Sequence, residues 1–181
     1  MQIRDGAHNR VLGCTIDNVG RNGVNVDGGV DDGVVGCDIH HTGFGGVVLS
    51  GGDRQTLTPA GHFAENNHIH HTSRLRRTHA GCLTLSGVGN RASHNLLHHE
   101  PHSAVWYRGN DHLMELSEVY WCHTATTEGD VFYTGRDWTY RDNVIRGNYI
   151  HHINDSLAGS PTETNVLHLD DCVAGTIFVD N

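Results

Sequence analysis

Residues 128–153 read EGDVFYTGRDWTYRDNVIRGNYIHHI, and the fold is decided in this stretch. Val131, Phe132, Tyr133 and Thr134 alternate as a half-buried strand does, Val144 and Ile145 open another, and Asn148 to His152 closes on the phrase N-x-I-H-H. The phrase recurs. Aligned on its first residue, it stands at Cys14, Cys37, Asn67, Asn95, Ser117 and Asn148, and a seventh copy opens at Asn181. The intervals, 22 to 33 residues, are too uneven for an array of helical hairpins or propeller blades, but they suit a coil whose turns accept insertions.

Working outward from these anchors, an apolar or small residue lies three positions before each: Val11, Val34, Ala64, Ala92, Met114, Ile145 and Phe178. Another lies two positions after: Ile16, Ile39, Ile69, Leu97, Val119 and Ile150. An alternating strand then follows each anchor, with inward pairs Val24/Val26, Val47/Leu49, Leu83/Leu85, Val105/Tyr107, Val131/Tyr133 and Leu167/Leu169. No segment sustains a 3.6-residue period, so helices are expected to be minor. The pattern predicts one all-β domain over residues 1–181: a right-handed, single-stranded parallel β-helix of about six to seven coils. Asn67, Asn95, Asn148 and Asn181 are expected at a bend, where each amide bonds to its equivalent one coil away in an Asn ladder. Cys14 and Cys37 take that place in the first two coils, as stacked thiols that can in principle form a bridge.

Composition narrows the partners. The chain has 23 Gly, 3 Pro and 36% hydrophobic residues, as expected of many short strands joined by tight turns. A formal charge of -9 with only 12 Lys plus Arg argues against nucleic acid or an anionic membrane, and no run approaches the roughly 20 apolar residues of a membrane span. Five Cys without C-x-x-C spacing argue against a structural zinc site of the usual kind. No leader is recognised and neither end looks capped, so the expectation is of part of a longer chain that continues into further coils.

The Asn column, the repeated N-x-[IVL]-H-H and the Gly-led second strands resemble the right-handed parallel β-helix proteins of the pectin-lyase-like superfamily, over essentially the whole chain. More narrowly, GNDH at 109–112, YTGRDW at 133–138, NYIHHI at 148–153 and LDD at 169–171 are similar to bacterial β-helical carbohydrate-active proteins, including the α-fucosidase and xylanase glycoside hydrolases. That resemblance implies a carbohydrate polymer or oligosaccharide as partner, no cofactor, and a secreted or periplasmic full-length protein.

Carbohydrate chemistry has candidates in the second strands. Glycosidases need two carboxyl groups flanking the scissile bond. Asp130 with Asp170 or Asp171 is the expected catalytic set, with Glu128 beside it, although four residues along a strand span about 13 Å unless a bulge intervenes. With Val131 and Tyr133 taken as inward, Trp106, Phe132 and His168 form one outward column, and Arg108, Thr134 and Asp170 the next. Trp106, Arg108, Phe132, Arg136, Asp137 and His168 are the expected sugar contacts, aromatic faces for pyranose rings and charges for hydroxyls. The long connections Gly51–His62, Ser73–Gly81, Cys122–Gly129 and Asn154–Thr164 are expected to wall this cleft. A polysaccharide lyase is the first alternative, with Arg108, Arg136, Tyr133 and His168 available as base or neutralising cation. A non-catalytic polysaccharide-binding or adhesive β-helix is the second. The His pairs 40/41, 70/71, 98/99 and 151/152 fall in two columns down one flank and are read as neutral rings; no metal is expected.

Overall fold

The computed structural model describes residues 1–126, 128–153 and 163–181. Three parallel sheets run the length of the chain. The first passes through seven strands from Gln2–Arg4 to Glu163–Asp170, the second through seven from Arg10–Leu12 to Thr176–Val179, and the third through six from Thr15–Asp17 to Tyr149–His151. Each strand pairs with the strand three elements later, so the chain visits the sheets in rotation and equivalent positions of successive repeats lie side by side. No helix is present among the described residues, so none is long and apolar enough to cross a membrane.

The apolar positions read from the sequence fall into register. Val11, Val34, Ala64, Ala92, Met114, Ile145 and Phe178 stand in one row of the second sheet. Ile16, Ile39, Ile69, Leu97, Val119 and Ile150 stand in one row of the third. Apart from Phe178, which is exposed, they build one core together with Val24, Val47, Leu83 and Val105 of the first sheet, in which Ile39, Ile69 and Leu83 are almost wholly removed from water. Each such side chain contributes about 1.5–3 kcal/mol by burial, which is why three-residue strands suffice here.

Polar side chains close the bends between sheets. At the bend into the third sheet, Asn67 donates its backbone N–H and its Nδ2 to Asn95 Oδ1, both at 3.0 Å, and Asn148 Nδ2 donates to Asn181 Oδ1 at 2.8 Å. Cys37 and Ser117 fit the same row: Cys37 N–H bonds Asn67 Oδ1, and Asn95 N–H bonds Ser117 Oγ. Cys14 and Cys37 remain free thiols, with Cys14 N–H directed at Cys37 Sγ. A second polar row, absent from the sequence reading, closes the bend into the second sheet. There Asn9 N–H bonds Asp32, Asp32 N–H bonds His62 Nδ1, His62 N–H bonds Asn90, Asn90 N–H bonds His112 Nδ1, and His112 N–H bonds Asn143. Buried backbone donors need such partners, and one side chain per repeat supplies them.

Chain direction changes again where the third sheet ends. Asn18, His41, His71, His99, Trp121 and His152, the last residues of the repeated phrase, all take left-handed backbone with φ between 48° and 55°. An isolated residue in this region turns the strand sharply, at a cost of roughly 1–2 kcal/mol that the packed repeat outweighs.

One expected register is corrected. Val105 pairs with Phe132 and Trp106 with Tyr133, while Phe132 pairs with Leu167 and Tyr133 with His168. Inward positions on this strand are therefore Phe132 and Thr134, both buried, and Tyr133 faces outward. Val131 and Phe132 both belong to the core, so alternation breaks between them, as it does at a β-bulge. A shift of one residue exchanges the faces of everything beyond it.

Candidate active site

The corrected register assembles a cleft of about 640 Å³ on the outer face of the first sheet. Its floor is the row Trp106, Tyr133 and His168, with ring centroids 4.4 Å apart for the first pair and 5.8 Å for the second. One row further along, Gly135 pairs with Asp170. A Cβ on Gly135 would lie 2.7 Å from the Asp170 Cβ and 2.9 Å from the Tyr133 hydroxyl, so glycine leaves the space in which those two groups meet.

They meet closely. The Tyr133 hydroxyl donates to Asp170 Oδ2 at 2.6 Å, and Arg136 Nε donates to the same oxygen at 3.1 Å. The Tyr133 hydroxyl, with help from Arg136, holds the Asp170 carboxyl below the usual carboxylate range. Burial, and then the Asp170 charge, push Tyr133 up to about 12. Near neutral pH, Asp170 is thus ionised and Tyr133 carries its proton.

Asp130 approaches from the other side. It is 4% exposed, accepts from Asn165 Nδ2 at 3.0 Å, and bonds His168 Nδ1 at 2.9 Å. The opposite nitrogen, His168 Nε2, lies 4.0 Å from Asp170 Oδ1. Two carboxyl groups from neighbouring repeats therefore address the two nitrogens of one imidazole. His168 lies between the two carboxyl groups, bonded to Asp130 and 4.0 Å from Asp170.

The walls come from two long connections. His79 lies 5.6 Å from the Trp106 ring and His102 stacks on it at 5.9 Å, 17° from parallel. Ala125, Thr126 and Glu128 complete the rim opposite. Behind them, burial lowers His102 and brings His123 down to about 4, so both rings are neutral near pH 7. A Cβ on Gly129 would lie 2.5 Å from the His123 ring, a close approach that requires glycine.

Of the expected site residues, Asp130, Asp170, Trp106, Arg136 and His168 line the cleft. Phe132 does not: it is buried in the core, because the register is shifted by one. Asp171 stands outside the lining with its carboxylate 3.7 Å from Arg136, and Arg108 lies beyond the floor, its guanidinium 6.0 Å from the Trp106 ring. Asp137 points away altogether, accepting from Thr139 and from Arg54 Nη1 at 3.4 Å. Most of the Asn154–Thr164 connection lies outside the described residues. Sequence reasoning missed His79, His102 and Asn165, which carry no periodic signal, and misplaced Tyr133. Because the Arg54–Asp137 contact is partly solvated, Asp137→Ala is expected to cost about 1 kcal/mol or less in a urea unfolding titration. Compared with protein-family models, with curated proteins and with solved structures, the chain finds no match.

Proposed function

We propose that the chain is a right-handed parallel β-helix of the pectin-lyase-like type and that the cleft over Trp106, Tyr133 and His168 cleaves a polysaccharide or oligosaccharide as a glycoside hydrolase. The observation that carries this reading is the pair of carboxyl groups, Asp130 and Asp170, set on either nitrogen of His168 above an aromatic floor. The handedness and the Asn ladder are supported by the side-chain bonds between Asn67 and Asn95 and between Asn148 and Asn181, and by the near-universal right hand of parallel crossovers.

Each group has a role. Asp170, kept ionised by the Tyr133 hydroxyl and Arg136, acts as the base or nucleophile at the anomeric side. The Asp130–His168 pair carries the proton for the leaving oxygen. Trp106, buried beneath His79 and His102, supports the floor, and Arg136 is placed to bond sugar hydroxyls. Glycan substrates fit the acidic chain, and a secreted or periplasmic location for the full protein fits glycan substrates.

A second reading is favoured by one specific contact. Tyr133 and Arg136 lie side by side, the arrangement a polysaccharide lyase needs to protonate or deprotonate a uronate while neutralising its carboxylate. Incubation with a panel of neutral and uronate-rich plant and algal glycans separates the cases. Release of reducing ends without ultraviolet absorption supports hydrolysis; unsaturated uronate products would replace it with the lyase. Glycan binding without any product would leave an adhesive or carbohydrate-binding β-helix and overturn both enzymatic readings.

A further inference from the structure

The outer face of the third sheet carries a second array of chemically active groups, remote in sequence from the cleft floor. His40, His70 and His98 stack with centroids 4.9 Å apart at each step and planes within 18° and 13°. Beside them runs the column His41, His71 and His99, at 5.3 and 4.2 Å. The left-handed second residue of each pair turns the two rings edge to face, with Nδ1 opposite Nδ1 at 2.8 Å for His40 and His41 and 2.7 Å for His70 and His71.

At one point in this array a third direction is added. His68 precedes His70 by two residues on the strand His68–His70, so the two side chains share a face. His68 Nε2 lies 2.8 Å from His98 Nε2, and its Nδ1 lies 3.4 Å from Asp38 Oδ1. That same oxygen is 3.2 Å from His70 Nε2. Backbone register holds the set: Asp38 pairs with His68, and His70 with His98, across three adjacent strands.

A single proton can satisfy one nitrogen–nitrogen contact. It cannot serve three imidazoles at once, whereas His68, His70 and His98 each bring a ligand atom within 4.8 Å of the other two. A tetrahedral zinc ion bonded to nitrogen at about 2.0–2.1 Å needs its ligand nitrogens roughly 3.3 Å apart, a small opening of the gap between His68 and His98. Three imidazoles suit zinc, copper or nickel, whereas calcium and magnesium take mostly oxygen.

We propose that His68, His70 and His98 form a binding site for one divalent transition-metal ion, for which zinc is the fitting case, with Asp38 facing the outer nitrogen of His68 and orienting its ring. The ion ties two successive repeats together and stabilises the folded chain by binding it in preference to the unfolded one.

Titration calorimetry of the metal-free full chain with zinc chloride tests this, with thermal melting followed in parallel. Saturable binding and a raised melting temperature are expected. His68→Ala, at a half-exposed position, should lower the zinc stoichiometry by one or weaken binding at least about tenfold, with little change in melting of the metal-free protein. His94→Ala, at an exposed His outside the set, should bind as the parent does. Absence of zinc binding by the parent, unchanged binding by His68→Ala, or an equal response to calcium would each overturn the proposal.

Discussion

Asp170→Asn is expected to lower kcat about a thousandfold on any glycan the protein cleaves, while the melting temperature stays close to that of the parent. The amide keeps an acceptor for the Tyr133 hydroxyl, so the local hydrogen bond survives, but it removes the negative charge that the reaction requires. Asp171→Asn, whose carboxylate stands outside the cleft lining, should change kcat by no more than a few-fold. Tyr133→Phe separates the two chemistries. In a hydrolase, removing the hydroxyl withdraws the main cause that depresses the Asp170 pKa, so the acid limb of the rate profile moves to higher pH while activity persists. In a lyase that uses Tyr133 directly, the same change abolishes turnover. Full activity of both Asp130→Asn and Asp170→Asn on a responsive glycan would end the carboxylate mechanism.

Acidification should destabilise the parent protein in part through His112, and His112→Asn should remove that residue's share of the sensitivity. His112 is buried, its Nδ1 accepts the Asn90 N–H at 3.1 Å and its Nε2 donates to the Arg108 carbonyl at 3.0 Å, an arrangement only the neutral ring can make. Burial brings its pKa down to about 4. In the unfolded chain the ring takes up a proton below about 6.5, while the folded chain resists until about 4. Stability is therefore fully present above about 6.5 and lost as the pH falls toward 4, by about 3 kcal/mol for this residue.

Glu100 works in the opposite sense. Burial raises its carboxyl to about 8, so it stays protonated where the unfolded chain ionises, and its contribution to stability declines as the pH rises from about 4.5 to 8. The difference between two proteins isolates His112 from this background. His112→Asn has the side chain found at Asn90 and Asn143 in the same row, retains an acceptor, and has no proton to gain. Its smaller volume should make it less stable than the parent at pH 7, with that deficit closing by about 2–3 kcal/mol at pH 4.5. Urea midpoints that fall in parallel for the two proteins would show that His112 does not contribute to the acid limb.

The legible parts of this protein are those that recur with a period. The rows through Ile39, Ile69 and Leu97 and through Val34, Ala64 and Ala92 could be read directly, because each repeat faces the same core and must answer it with the same kind of side chain at the same offset. The paired His columns could be read for the same reason. The second polar row was equally periodic, at Asn9, Asp32, His62, Asn90, His112 and Asn143, two residues ahead of each apolar position. It escaped notice because it interchanges Asn, Asp and His, three residues alike only in offering an acceptor to a backbone N–H.

The sequence by itself determined an all-β chain of stacked short parallel strands, with the apolar rows that fill it, because strand alternation and repeat spacing are local and cumulative signals. Only the tertiary structure decided the face on which Phe132 and Tyr133 lie, the convergence of Asp130 and Asp170 on His168, and the arrival of His79 and His102 above Trp106. Those features depend on one break in alternation and on loops without a period. A shift of a single residue, which no composition or spacing records, exchanges core for cleft along the rest of a strand.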